Sequence, residues 1–254
     1  MRTLAIAKNT FREARRDRVH WILLFYAVVV VGGAFVLSPL SMGEGSRVTR
    51  DLGLAALSLV GVLLIILVGA GLVQKEIERR TVLTVLAKPL HRPEFLLGKY
   101  LGMMGMVAVV FVQMTALLVA VIWIRDRAVS PAVLVAAGFT LGELMVMTAV
   151  VVAFSSFVSP ALSGVFTLAL FVFGHFAADL LRFADRAPSA VLGLAAKGMY
   201  FVLPHLALFN LRAEAAYGVL PDPGRIAAAA AYAVLYSASL LAAASVIFSR
   251  REFR

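Results

Sequence analysis

The side chains of this chain that could do chemistry are few, and several sit where charge is expensive. Gln113, Glu143, His175 and Asp179 all fall inside long apolar stretches, and His175 and Asp179 are four residues apart, which places them on one face of a continuous helix. A carboxylate costs a few kcal/mol in a hydrocarbon setting, so Glu143 is expected to face the protein interior or a wet cavity. Such a group could line a polar path or act as an ion-sensitive gate, with Glu143 the leading candidate. The same side chains could instead hold neighbouring helices together by hydrogen bonds.

Other chemistries find little support. Cysteine is absent, which removes disulfides, thiolate metal sites and thiol nucleophiles. His175 and Asp179 lack the His-Glu-x-x-His pair of a metalloprotease, and His20, His91 and His205 lie near interfaces or in loops. No catalytic or metal-binding set is therefore expected. Met103, Met104, Met106, Met114, Met145 and Met147 cluster in sequence; methionine is a soft ligand for Cu(I) and also an ordinary flexible apolar filler.

The elements that must position these groups follow from composition. Of 254 residues, 62% are hydrophobic and 15% charged, and mean hydropathy is +0.95. Charge gathers in short blocks between apolar runs of about 20 residues, the pattern a bilayer imposes. Six spanning helices are expected at about 19–40, 52–73, 100–124, 131–157, 161–181 and 226–248, in a single membrane domain covering 1–254. At about 1.5 Å per residue, Gln113, Glu143 and His175 then share a layer roughly 20 Å from the cytoplasmic side. Gly98-x-x-x-Gly102 and Gly138-x-x-x-Gly142 allow close helix approach.

Six spans put both termini on one side. Of the basic residues, fifteen fall in the N-terminal tail, the link between the second and third spans, and the C-terminal tail; nine fall on the other side. That bias predicts cytoplasmic termini. The net charge of +10 is explained by this orientation, and no nucleic-acid-binding signature accompanies it. The first apolar stretch runs about 20 residues without a small-x-small cleavage site, so it is expected to be retained.

Three segments do not span. Residues 2–18 place Leu4, Ala7, Phe11 and Ala14 on one stripe, with Arg2, Lys8, Arg12, Arg15 and Arg16 around the rest. This pattern suits a helix lying along the cytoplasmic interface with its basic face toward anionic lipid, or a simple topogenic tail. In the link 74–99, the charged opening Glu76, Glu78, Arg79, Arg80 leads into Val82, Leu83, Val85 and Leu86, which Pro89 terminates before Pro93 restarts a helix. A short helix with exposed apolar side chains needs cover, from a partner's groove or from lipid headgroups. The long loop 182–225 contains an apolar stretch, 190–211, broken by Lys197, Pro204, His205 and Asn210, and is expected to form re-entrant or interfacial helices.

With those residues in view, the chain resembles the permease subunit of type-2 ABC exporters, nearest the branch named for multicopper-enzyme maturation. The motif that carries this most specifically is Glu76-x-Glu78-Arg79-Arg80-Thr81…Lys88-Pro89…Arg92-x-Glu94-Phe95…Gly98-Lys99, similar to the family's coupling helix and the turn after it. The opening Ala7-Lys8-Asn9-Thr10-Phe11-Arg12-Glu13 resembles the family's elbow helix, in which Leu4, Lys8, Phe11 and Arg12 would be the interfacial residues. Ser155-Ser156…Ser159-Pro160-Ala161, Gly174-His175…Asp179-Leu180 and Leu203-Pro204…Phe209-Asn210-Leu211-Arg212 are similar to further stretches of that branch.

The resemblance implies an all-α integral membrane subunit of an exporter in a bacterial or archaeal cytoplasmic membrane. Two copies, or one with a close homologue, would assemble with two separate cytoplasmic ATPase subunits that bind ATP and Mg. Lipids would surround the complex, and an extracytoplasmic accessory protein would have room to join. The sequence holds no Gly-x-x-x-x-Gly-Lys-Ser/Thr phosphate loop, so ATP hydrolysis falls to the partner. In that arrangement Glu76, Glu78, Arg79 and Thr81 set the register of the docked helix, Val82, Leu83, Val85 and Leu86 fill the groove, and Pro89 ends it. The alternative is a channel or secondary transporter that works without an ATPase.

Overall fold

Proline and serine punctuation sets the helix starts. Pro131 and Pro160 open their helices at a position where a missing amide proton costs nothing, and Ser130 caps the first by accepting from the Ala132 amide at 3.3 Å. The computed structural model describes residues 2–16, 19–37, 44–72, 92–187 and 189–249, and every regular element among them is helical. In order these are α1 (Arg2–Arg16), α2 (Val19–Leu37), α3 (Gly45–Gly69), α4 (Arg92–Asp126), α5 (Pro131–Ser155), α6 (Pro160–His175), α7 (Ala177–Asp185), α8 (Ala190–Val202), a 3-10 turn (Leu206–Phe209), α9 (Arg212–Ala216) and α10 (Pro223–Ser249).

α3, α4, α5 and α10 are each long and apolar enough to cross a membrane. α6 with α7 passes only as a pair bent by 65°, and α8 with the helical residues after it as a pair bent by 51°. In α2 the apolar helix Trp21–Ala34 is shorter. Most expected spans coincide with a helix. The clearest differences are α3 and α4, which begin at Gly45 and Arg92 rather than near 52 and 100, and the fifth expected span, which breaks at Phe176.

α5 is the central helix. It packs against α3, α4, α6, α9 and α10, and Val146, Met147, Thr148, Ala149, Val150, Val151 and Val152 are all buried in succession. A helix apolar on every side belongs in a core, and this one has no face left for solvent or lipid over that stretch. α10, by contrast, leaves Val234, Leu235, Val246 and Ile247 exposed, as suits a helix facing hydrocarbon.

The start of α3 and the end of α4 form one end of the bundle, the distal end. A polar clip closes it: Arg50 Nη2 lies 2.9 Å from Asp126 Oδ2, Ser46 donates to the same carboxylate, and Arg125 Nη1 donates to Thr49 Oγ1 at 3.0 Å. α4 then ends on Arg127, whose φ of 55° is left-handed and whose amide closes onto the Trp123 carbonyl at 2.9 Å.

The apolar stretch of the long loop folds back into this end. Leu206, Phe209, Leu211 and Ala215 are buried, and the 3-10 turn and α9 contact α3, α5 and α6. Gly174 makes room for them, since a Cβ there would meet the Pro204 carbonyl oxygen and Leu206 at 2.8 Å. The loop therefore forms a roof over the bundle.

Candidate functional site

Under that roof, midway along α5, Glu143 is buried with 3% of its surface exposed. Ser58 Oγ, midway along α3, stands 3.1 Å from both carboxylate oxygens and donates its proton to them. His175 Nε2, at the end of α6, lies 3.4 Å from Glu143 Oε1. The imidazole is held from its other side, with Nδ1 3.0 Å from the Phe171 carbonyl oxygen and the Phe171 ring edge-on at 4.8 Å. Arg212, at the start of α9, lies close enough for its charge to act on both Glu143 and His175.

Carboxylate, imidazole and hydroxyl thus come from three different helices. Any sliding of α6 or α3 against α5 changes the partners of a buried carboxylate, which is costly when those partners are lost. The cluster is a mechanical and electrostatic junction at the centre of the bundle.

The expected polar layer is only partly assembled. Glu143 and His175 come together, whereas Gln113 is exposed on α4 and turned away from them. Asp179 does not share a helix face with His175, because α6 stops at His175 and the chain bends at Phe176 before α7 begins. Its exposed carboxylate instead lies 3.4 Å from Arg182 Nη1. Two members of the cluster escaped the sequence reading. Ser58 lies roughly 20 Å along α3 from the cytoplasmic end of its expected span, so the depth count applied to hydroxyls would have found it. Arg212 belongs to a loop segment whose return to the bundle leaves no such signal.

On α1, Leu4, Lys8 and Arg12 are exposed and Phe11 is half-buried against α4. α1 packs lengthwise on α4. Cβ atoms on Gly98, Gly102 and Gly105 would approach Thr3 and Ile6, Ala7 and Thr10, and Phe11 respectively, so the two helices run in the same direction. The first glycine motif is therefore the seat of α1. The second is looser: among the described residues nothing lies within 4 Å of a Cβ on Gly138, and a Cβ on Gly142 would meet Phe209 at 2.8 Å and Ala233 of α10 at 3.8 Å.

Gly138 and Gly142 line an apolar groove of about 460 Å³ between α4, α5 and α10, with Phe209 and Ala233 on its walls. Met104 and Met145 also line it, whereas Met103 packs at Gly69 and Val151. Glu76, Glu78, Arg79, Thr81, Val82, Leu83, Val85, Leu86 and Pro89 lie outside the described residues.

No curated protein matches the chain. The family model described as ABC-2 family transporter protein matches residues 4–253, nearly the whole length. An all-helical bundle with several helices fit to cross a bilayer agrees with that match, and the chain is a multi-pass membrane protein belonging to the ABC-2 family of transporter membrane components.

Proposed function

We propose that this chain is the permease subunit of an ATP-driven exporter, and that a separate cytoplasmic ATPase moves it through the link between α3 and α4. The family is a transporter membrane component, generally non-catalytic by itself, that normally works with a cytoplasmic ATPase. The observation that carries the reading is the family match over residues 4–253, in a sequence that has no phosphate-binding loop of its own.

α3 ends and α4 begins at the end of the bundle opposite the distal clip, which on this reading is the cytoplasmic end, so the link between them would belong to the cytoplasm. ATP closure of two ATPase subunits would displace the link as a rigid body and shift α3 and α4 together. Glu76, Glu78, Arg79 and Thr81 would fix its register and Val82, Leu83, Val85 and Leu86 its apolar seat. α4 is 35 residues, about 52 Å long, so its first turns extend beyond the roughly 30 Å of hydrocarbon. α1, seated on those turns, would form the elbow at the membrane surface, with exposed Lys8 and Arg12 toward anionic headgroups.

Since α3 carries Ser58, the same displacement would reach Glu143, which is our candidate for the ion-sensitive point of the path. On this reading two copies of the chain work with two ATPases in a bacterial or archaeal cytoplasmic membrane, with both termini inside, and the multicopper-enzyme-maturation branch is the nearest kin. Replacing Val82, Leu83, Val85 and Leu86 together with Ser tests the docking. Loss of ATPase co-purification from an otherwise stable chain supports it, and undiminished binding overturns it.

A further inference from the structure

The geometry points to a proton-binding site inside the membrane, in which one proton is held jointly by Glu143 and His175. The deduction starts from the Phe171 carbonyl oxygen, which can only accept. His175 Nδ1 lies 3.0 Å from it, so Nδ1 carries a hydrogen. In a neutral imidazole the other nitrogen, Nε2, is then a bare lone pair. Nε2 lies 3.4 Å from Glu143 Oε1, within ion-pair range and longer than an ordinary hydrogen bond.

An ionised carboxylate and a bare nitrogen are both acceptors, so in that state a buried negative charge stands against a second lone pair, offset by the charge of Arg212 but with no proton between the two. Ser58 supplies a single hydroxyl proton to the carboxylate and cannot bridge the two. One added proton resolves the conflict in either of two ways. It sits on Glu143, giving a carboxylic acid that donates to Nε2, or on Nε2, giving an imidazolium beside a carboxylate. Moving between these breaks the O–H bond as the N–H bond forms, with no change in the pair's net charge. The two groups therefore titrate as one unit.

From α3 the group facing the carboxyl is Ser58, and from α9 Arg212 acts on both members of the pair. Asp179 on α7 is engaged with Arg182, and Glu214 on α9 with Arg225 at 2.8 Å. On α4, Arg125 and Asp126 belong to the distal clip, and Lys99 lies beside the Phe95 ring at the other end. On α10, Tyr232 accepts from the His205 amide and Tyr236 donates to the Val202 carbonyl.

The inference concerns the chain alone and does not depend on an ATPase, so it can fail while the permease reading stands, and the reverse. The test is nitrogen-15 NMR of the full-length chain in lipid nanodiscs, with labelled histidine and His20→Asn, His91→Asn and His205→Asn leaving only His175 visible. Infrared spectroscopy with carbon-13-labelled glutamate, and Glu143→Gln to assign its band, reads the carboxyl. At neutral pH, Nδ1 is protonated and a single further proton is found on Nε2 or on Glu143. In Glu143→Gln the carboxyl band is lost and His175 is the neutral Nδ1–H form. A neutral Nε2–H tautomer, or a neutral His175 beside an ionised Glu143, overturns the proposal. So does a proton on both groups at once. If Glu143→Gln fails to fold, Glu143→Asp assigns the band instead, and the nitrogen-15 spectrum of the chain that keeps Glu143 still decides the tautomer, a neutral Nε2–H form overturning the proposal.

Discussion

Gly102 of α4 faces the Ala7 carbonyl oxygen of α1 so closely that a Cβ on Gly102 would stand 2.4 Å from that oxygen. Backbone cannot yield as a side-chain tip does, so even Gly102→Ala must lift α1 from its seat. The expected cost is about 1–3 kcal/mol, as for overpacked cores. Gly138 has no described residue within 4 Å of where its Cβ would be, and Gly138→Ala should gain helix propensity of up to about 1 kcal/mol. Thermal unfolding of the two variants in the same micelle should move in opposite directions. A stable Gly102→Ala would show that α1 is not held in this seam.

Arg50 and Asp126 tie the start of α3 to the end of α4, with side chains 18% and 14% exposed. Asp126→Ala strands a half-buried guanidinium and also removes the acceptor of Ser46. Exchanging the charges, Arg50→Asp with Asp126→Arg, should recover part of what either single change loses. A double-mutant cycle by thermal unfolding should give a coupling of about 0.5–3 kcal/mol, and additive losses would remove the clip from the account.

Ser58 gives Glu143 its hydroxyl proton, a bond to a charged or partly charged acceptor. Ser58→Ala should cost about 1–3 kcal/mol of stability without abolishing folding. Glu143→Gln keeps the volume and the acceptor for Ser58 but removes the acid. If Glu143 serves the transport path, the Gln variant assembles with its ATPase, hydrolyses ATP and fails to transport. If its role is to bind the bundle together, the variant fails to assemble. Size-exclusion profiles with ATPase and transport assays on the same preparation separate the two.

How much of this was legible in the sequence differs by element. Long apolar runs located α4, α5 and α10, because hydropathy acts locally, and for α4 and α5 a proline near the start sharpened the reading. Glu143 was found by its cost in hydrocarbon, a property of one residue. Its partner could be only half found. His175 stood out as polar, but its pairing with Asp179 assumed an unbroken helix, and Gly174, two residues before the break at Phe176, was not read as a breaker because a single glycine is common within apolar helices. Gln113 was placed at the right depth on a face that turns outward, since depth follows from counting residues whereas azimuth depends on which neighbours a helix meets. The roof was read as a broken apolar loop, and its burial against α3, α5 and α6 is a long-range event with no periodic signature. Gly98 and Gly102 were recognisable as a contact motif; that α1 fills it is a matter of tertiary packing.

The central claim is that the link between α3 and α4 is the seat of a separate ATPase. The chain has no cysteine, so single cysteines can be introduced from Gln74 to Leu86 in an otherwise silent background. The measurement is their labelling by a membrane-impermeant maleimide in inside-out vesicles, with and without the cognate ATPase. The account predicts that labelling at Val82, Leu83, Val85 and Leu86 falls several-fold when the ATPase is added. Labelling that is the same with and without the ATPase, from a chain that still transports on its own in proteoliposomes, would contradict it.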